Sequence, residues 1–333
     1  MKIAVIGAGG RLGAALMREY RNKFDLIGFD HQALDLGDSG QLREKIGTLD
    51  VDLVINCAAF TNVDLCETQR DQAFLINAEA PRVLAEICRD NGAKLIHFST
   101  DYVFDGEKRE PYVESDFANP ISVYGESKRA GEQLVLQAED RPASRPEGSR
   151  LDQSAGSPGS FDLGSSAVAA PDAEGAARLR RARRHLVVRV SWVFGPDRPS
   201  FIDGIIKRAQ KNEKVDAIAD KFSTPTYTLD IAEILPRFFE PDVEGGILHF
   251  ASVGECSWQE YAQWALDCCQ RFGVSVKAKT VSALKLKDMK NWIARRPAYS
   301  VLSSAKYTGL TGASPRTWRD AVADYIRRSY LRK

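Results

Sequence analysis

The 333-residue chain has no long hydrophobic run; nothing in it approaches the about eighteen consecutive apolar residues of a membrane span. The opening stretch Met1-Lys2-Ile3-Ala4-Val5-Ile6 meets Gly7 too early to form the apolar core of a signal peptide. Charge of one sign is also missing. Forty-six Lys+Arg against 45 Asp+Glu leaves +1, which argues against a generally basic nucleic-acid binder and an acidic disordered chain. The six cysteines (Cys57, Cys66, Cys88, Cys256, Cys268, Cys269) form no C-x-x-C pair and fit reduced, mostly buried thiols better than a disulfide framework. The four histidines lie far apart with no H-E-x-x-H pattern, so no metal site is expected. These absences predict a cytoplasmic protein with neither a membrane nor a nucleic-acid partner. What remains, 44% hydrophobic and 27% charged residues, is an ordinary globular composition, long enough for one large or two modest domains.

Short apolar runs at 2–6, 25–30, 52–57 and 94–99 read as strands, with helical patterns between them, the longest from about Arg70 to Asn91. That alternation predicts an α/β fold, a Rossmann-type doubly wound parallel sheet with helices on both faces. Further strands are expected at 186–190 and 247–250. Beyond Phe194 the pattern loosens, with helices near 200–211, 228–239, 257–272 and 317–330. The expected division is a nucleotide-binding domain over 1–195 and a smaller, mainly substrate-binding domain over 196–333, of which 228–252 can return to the first sheet. Residues 139–184 break the pattern: Ser, Gly and Pro clusters with few large apolar side chains predict a largely disordered insertion. Its arginine cluster (Arg178, Arg180, Arg181, Arg183, Arg184) reads as a solvated charge run, with an anionic partner or a processing site as the alternative.

Gly7-Ala8-Gly9-Gly10-Arg11-Leu12-Gly13 follows the first strand and opens the first helix, the context in which a glycine cluster carries meaning. Gly7 permits the tight turn, Gly10 the approach of backbone to a pyrophosphate, and Gly13 close packing of helix on sheet, leaving the phosphates at the helix N-terminus. Asp30 ends the second strand seventeen residues after Gly13. A carboxylate there accepts from ribose hydroxyls and repels a 2′-phosphate, so the cofactor is NADH or NADPH with NADH slightly favoured, Arg11 and His31 softening the choice. Asp35 and Leu36 lie where the next loop reaches the adenine.

Tyr124 and Lys128 stand four apart, on one face of a helix that Asn119-Pro120 would start. With ten tyrosines in the chain this spacing alone decides little. Its setting adds weight, because the fourth strand ends at Ser99-Thr100-Asp101-Tyr102, the carboxyl edge where open α/β sheets place ligands. Reduction of a ketone needs a hydride, a proton for the developing alkoxide and a group to hold that oxygen. Tyr124 fits the proton donor. Lys128 would lower its pKa and bind the nicotinamide ribose, and Thr100 would bond the carbonyl oxygen.

Together these residues resemble the extended short-chain dehydrogenase/reductases, and among them the dTDP-4-dehydrorhamnose reductase family. The resemblance rests on the glycine turn, Asn56-Cys-Ala-Ala-Phe-Thr-Asn-Val-Asp64 with Glu67, Leu75-Ile-Asn-Ala78, Ser99-Thr-Asp-Tyr-Val-Phe-Asp-Gly106, Tyr124-Gly-Glu-Ser-Lys128, Arg189-Val-Ser-Trp-Val-Phe-Gly195, Asp220-Lys-Phe-Ser-Thr-Pro-Thr226 and Arg295-Arg-Pro-Ala-Tyr-Ser300. It covers nearly everything outside the insertion, in order. It implies reduction by NAD(P)H of the 4-keto group of dTDP-4-dehydro-β-L-rhamnose, a nucleotide-sugar substrate of polysaccharide biosynthesis. Carried over by position, Gly10, Arg11 and Leu12 line the pyrophosphate, and Asp30, Asp35 and Leu36 meet the adenosine. Ala59, Phe60 and Thr61 reach the middle of the cofactor, Thr100 and Asp101 contact the sugar, and Trp192 covers it or serves as a core aromatic. Asn77 reads as structural. Two positions depart from the family. Ser223 stands where glycine is expected before Thr-Pro-Thr, and Ala15 stands where a magnesium-binding glutamate would lie, so neither that metal nor that dimer is expected and the chain reads as a monomer or weak homodimer. Alternatives are a sugar-nucleotide 4-epimerase or 4,6-dehydratase of the same fold, or a non-catalytic relative of the methionine adenosyltransferase regulatory subunit. Tyr102 after Asp101 leaves a dehydratase without its acid/base pair, and the presence of both Tyr124 and Lys128 disfavours the non-catalytic reading.

Overall fold

In the computed structural model, residues 1–139, 185–240, 243 and 245–331 are described. Residues 140–184, which hold nearly all of the expected insertion and its arginines, lie outside the described residues. The strands are β1 (Lys2–Ile6), β2 (Asp25–Phe29), β3 (Leu53–Asn56), β4 (Lys94–Thr100), β5 (Leu186–Val190), β6 (Val193–Phe194), β7 (Val215–Ile218), β8 (Phe222–Ser223), β9 (Thr226–Tyr227), β10 (Gly246–His249), β11 (Cys256–Ser257) and β12 (Val281–Leu284). The helices are α1 (Arg11–Tyr20), α2 (Ser39–Lys45), α3 (Val63–Thr68), α4 (Arg70–Phe74), α5 (Ala80–Asp90), α6 (Val123–Gln137), α7 (Phe201–Lys211), α8 (Thr228–Ile234), α9 (Trp258–Arg271), α10 (Ala305–Thr311) and α11 (Trp318–Tyr330).

Six strands make one sheet in the order β10-β5-β4-β3-β1-β2, every pair parallel. A parallel sheet must be covered on both faces, which is why its inner strands are apolar almost throughout: β3 and β4 are buried at every position. One face packs Leu12, Leu16 and Tyr20 of α1 with Ile231 and Ala232 of α8. The other packs Leu42 of α2, Val83 and Leu84 of α5 and Val135 of α6. From β1 the chain runs first to β2 on one side and then to β3 on the other, so the topology reverses at β1 and opens a crevice beyond the strand ends there. A second body lies outside this sheet. Its core joins Ile202 and Ile206 of α7, Tyr261 and Ala265 of α9, and Trp318, Val322 and Tyr325 of α11.

The run expected as one helix over 70–91 is interrupted. Between α4 and α5, residues Leu75–Glu79 form a π-helical turn, and Asn77 sits in it. The extra residue turns the Asn77 side chain inward, where Oδ1 accepts from Phe60 N at 2.8 Å and Nδ2 donates to Phe60 O at 3.0 Å and to Ser127 Oγ at 3.0 Å. One buried amide thus fastens the loop after β3 to helix α6. That helix begins later than Asn119-Pro120 suggests: Ser122 caps it by accepting from Gly125 N, and the Glu67 carboxylate accepts from Val123 N at 2.9 Å, neutralising orphan donors of the first turn.

Candidate active site

The glycine turn after β1, the loop after β3, the ends of β4 and β5 and the face of α6 enclose a cavity of about 690 Å³. Gly7, Gly10, Arg11, Leu12, Asp30, Asp35, Leu36, Ala59, Thr61, Thr100, Asp101, Tyr124, Lys128 and Trp192 all line it. Two expected residues do not. Gly13 lies behind the turn, where a Cβ would come within 2.1 Å of Gly7 O, so its bare backbone is what lets α1 approach. Phe60 packs against the buried cluster of Cys66, Ala73, Tyr102, Val123 and Tyr124 while Asn77 holds its backbone.

Asp30 is exposed at the end of β2. Its Oδ1 accepts from Gln32 N and Ala33 N, both at 3.0 Å, and these bonds hold its carboxyl below the usual range. Opposite it lies a residue that sequence reasoning missed. Arg198, in the loop after β6, donates from Nε to Gly9 O at 2.9 Å, and Arg11 Nη2 donates to Pro199 O at 2.6 Å. A Cβ on Gly9 would sit 3.4 Å from Asp30 Cβ and 3.9 Å from Arg198 Nη2, so carboxylate and guanidinium flank the same turn. No local signal marks Arg198, because its partners are nearly two hundred positions away.

At the other end of the cavity Tyr124 is buried beside Thr100. Thr100 Oγ1 accepts from Tyr102 N at 3.2 Å and donates its one proton to Asp101 Oδ1 at 3.1 Å. Asp101 is buried under three hydroxyls. Besides Thr100, Ser223 Oγ donates to it at 3.1 Å and Ser300 Oγ at 2.5 Å. Burial raises its carboxyl, opposed by Lys221 and these hydroxyls. Ser223, the departure from the expected glycine, is therefore part of the scaffold that orients Thr100.

The expected lowering of the Tyr124 pKa by Lys128 is not what the structure displays. Burial pushes the phenol up, only partly offset by the neighbouring Thr100 hydroxyl, and Lys128 points elsewhere. Its Nζ donates to Phe98 O at 2.7 Å and lies 3.1 Å from His97 Nε2. Burial lowers Lys128 to about 8. A phenol kept protonated in this way suits a proton donor.

Trp192, between β5 and β6, has φ 41°, the one positive value among the described non-glycine residues. For an L-residue that conformation costs on the order of 1–2 kcal/mol, and such strain collects at functional sites. Its ring lies 5.6 Å from Trp258 and 6.1 Å from Tyr261, and Lys221 Nζ stands 6.0 Å from it. Trp192 and Ser99 line the cavity, while the Trp192 indole N–H and the Ser99 hydroxyl are themselves fully buried with no partner among the described residues. A glycine cradle lining the cavity at the helix N-terminus is what a dinucleotide would complete, so the residues present fit NAD(P). No group of three acidic, Cys or His side chains able to hold a metal comes together among the described residues, and Ala15 is buried within α1.

A parallel sheet with a glycine turn at its switch point, and a Tyr/Lys helix at its carboxyl edge, define the extended short-chain dehydrogenase/reductase class. The chain matches the family described as RmlD substrate binding domain over residues 1–143 and 171–331. It is 32% identical over 329 residues to a dTDP-4-dehydrorhamnose reductase of Mycolicibacterium smegmatis, covering 98% of this chain and 85% of that protein. It is 33% identical over 328 residues to a probable dTDP-4,6-dihydroxy-2-methyloxan-3-one 4-ketoreductase of Streptomyces antibioticus, covering 97% and 94%. The crystal structure of dTDP-4-dehydrorhamnose reductase from Bacillus anthracis in complex with NADP superposes with a TM-score of 0.79 at 26% identity, over 98% of this chain and 99% of that one. The chain belongs to the dTDP-4-dehydrorhamnose reductase family.

Proposed function

We infer that the protein is an NAD(P)H-dependent oxidoreductase that reduces the 4-keto group of dTDP-4-dehydro-β-L-rhamnose to the hydroxyl of dTDP-L-rhamnose, working in the cytoplasm as a monomer or weak homodimer. The observation that carries this reading is the meeting, in one cavity, of the glycine turn with buried Tyr124, Thr100 and Asp101. The names of the Mycolicibacterium and Streptomyces relatives support a dTDP-linked keto sugar as the substrate class.

NAD(P)H, when bound, supplies the hydride. Gly7, Gly10, Arg11 and Leu12 hold the pyrophosphate, and Asp30, Asp35 and Leu36 the adenosine. Ala59 and Thr61 lie along its middle, where the Asn77–Phe60 clamp fixes the loop. Trp192 covers the sugar. Tyr124 gives its phenolic proton to the alkoxide oxygen forming at C4. The Thr100 hydroxyl, turned from Asp101 toward that oxygen when the sugar is in place, holds it beside the phenol, and Lys128 balances the phenolate left behind. A dehydratase would need a second acid next to Asp101. That position is Tyr102, whose phenol burial pushes up and whose ring lies 5.6 Å from Tyr124.

The test follows oxidation of NADH and of NADPH by the purified protein with dTDP-4-dehydro-β-L-rhamnose. One cofactor is expected to be consumed per sugar reduced, with negligible turnover when the sugar is omitted. No oxidation of either cofactor, where an established reductase works, overturns the assignment.

A further inference from the structure

Lys128 is set in a chain of hydrogen bonds whose direction is fixed at its far end. The backbone N–H of Ala58 can only donate, and Asn56 Oδ1 accepts from it at 3.0 Å. The Asn56 amide nitrogen therefore faces His97 Nδ1, at 3.1 Å. An amide nitrogen only donates, so Nδ1 accepts and the ring proton lies on Nε2. That Nε2–H points at Lys128 Nζ, 3.1 Å away. Only a neutral amine has the lone pair to accept it, and its own N–H is directed to Phe98 O at 2.7 Å. An ammonium would instead meet Nε2–H donor to donor in a buried site, where unmatched polar groups are costly. His97 cannot relieve the conflict by charging, because burial and Lys128 hold it far below its ordinary pKa.

We propose that His97 is a positioning residue that sets the charge of Lys128: through the Nε2–H tautomer imposed by Asn56 and Ala58 it keeps the amine neutral in the cofactor-free enzyme, and Lys128 takes up a proton when the cofactor binds. The proposal rests on the reading of Lys128 as a cofactor-site residue. Ala58 and Lys128 both line the cavity, so a ligand hydroxyl placed there gives the amine a new acceptor and draws it off His97. The titratable and charged groups around Lys128 are Tyr124 and Glu132 on α6, His97 on β4, Asp101 just beyond the end of β4, Cys57 after β3 and Arg189 on β5. Glu132 favours the ammonium, but its carboxylate is already held by Arg189 through two bonds of 2.7 Å and by Arg129 at 3.1 Å. Burial of Lys128 acts in the same direction as the donor conflict.

Two measurements on the whole enzyme test this without any sugar substrate, so an error in the assigned sugar leaves both readouts intact. The first is the imidazole ¹⁵N spectrum of the cofactor-free wild type at pH 8, feasible with four histidines and assigned by the signal lost in His97→Asn. The expected tautomer of His97 carries its proton on Nε2; a proton on Nδ1 overturns the proposal. The second is proton uptake on binding NADPH at pH 8, read by calorimetry in two buffers of different ionisation heat. The wild type is expected to take up about half a proton per site or more. In Asn56→Asp both side-chain oxygens accept, so the ring proton moves to Nδ1 and Nε2 offers the ammonium an acceptor. Uptake should then vanish. Absent uptake in the wild type, or equal uptake in folded Asn56→Asp, overturns the proposal. If Asn56→Asp does not fold, the two wild-type measurements still decide it.

Discussion

Removing one oxygen, in Tyr124→Phe, separates the chemistry of this site from its architecture. The phenol is buried, is held protonated by that burial, and lies beside Thr100. Its loss leaves Thr100 Oγ1 still bonded to Tyr102 N and Asp101 Oδ1, so no buried group is orphaned and stability should fall by only about 1 kcal/mol. The ring keeps its edge contact with Tyr102, 5.6 Å between centroids. Cofactor binding, governed by the glycine turn and by Lys128, should be unchanged within about twofold. The proton for the developing alkoxide is lost, and general-acid catalysis of this kind contributes about 10²–10⁴ in rate, or about 2.7–5.5 kcal/mol of barrier. The assays are steady-state NADPH oxidation, cofactor fluorescence titration and urea unfolding. A kcat within tenfold of wild type would remove Tyr124 as the proton donor. A fall in kcat matched by loss of cofactor affinity would show that the hydroxyl positions the cofactor instead.

Other consequences are as specific. Arg198 flanks Gly9 opposite Asp30, where a 2′-phosphate would need a counter-charge. Arg198→Ala should raise KM for NADPH about tenfold, the loss of one charge-assisted bond, while KM for NADH stays within about twofold; equal changes for both would contradict a role in cofactor choice. Three buried histidines predict the acid behaviour of the fold. Burial lowers His185 to about 4 and His249 to about 3, and holds His97 well below its ordinary value. The unfolded chain therefore binds more protons below its histidine pKa of about 6.5, so this stability is complete above that pH and is lost as pH falls toward the folded values. Urea unfolding should lose about 1.4 kcal/mol per pH unit for each histidine in that window, and a flat profile from pH 6.5 to 4.5 would refute it.

Much of the cofactor half was legible because its signals are local. The glycine turn sits between an apolar run and a helix, and Tyr124 and Lys128, one turn apart on one helix, gain weight from the strand end at Ser99-Thr100-Asp101-Tyr102. Long-range partners left no such mark. Asn56, His97 and Lys128 lie on three different elements, and Asp101 meets Ser223 and Ser300 from 122 and 199 positions away. The π-helical turn at Asn77 was invisible for another reason: periodicity detects a helical run but not one added residue within it. Strands β7 and β12 pair only with each other and number four residues apiece, too short to stand out against the surrounding loops. Ser223 was noticed as a departure, but its purpose depends on Asp101 and appears only in the folded chain.

The central claim is that this cavity moves a hydride to C4 of a keto sugar and that Tyr124 supplies the proton. Its most direct test uses NADPH carrying deuterium at the transferable position of nicotinamide C4, with dTDP-4-dehydro-β-L-rhamnose in ordinary water. The account predicts a dTDP-L-rhamnose product with one deuterium, bound to sugar C4, for each cofactor oxidised. A reduced sugar with hydrogen from water at C4, or cofactor oxidation with no label in the sugar, would contradict it.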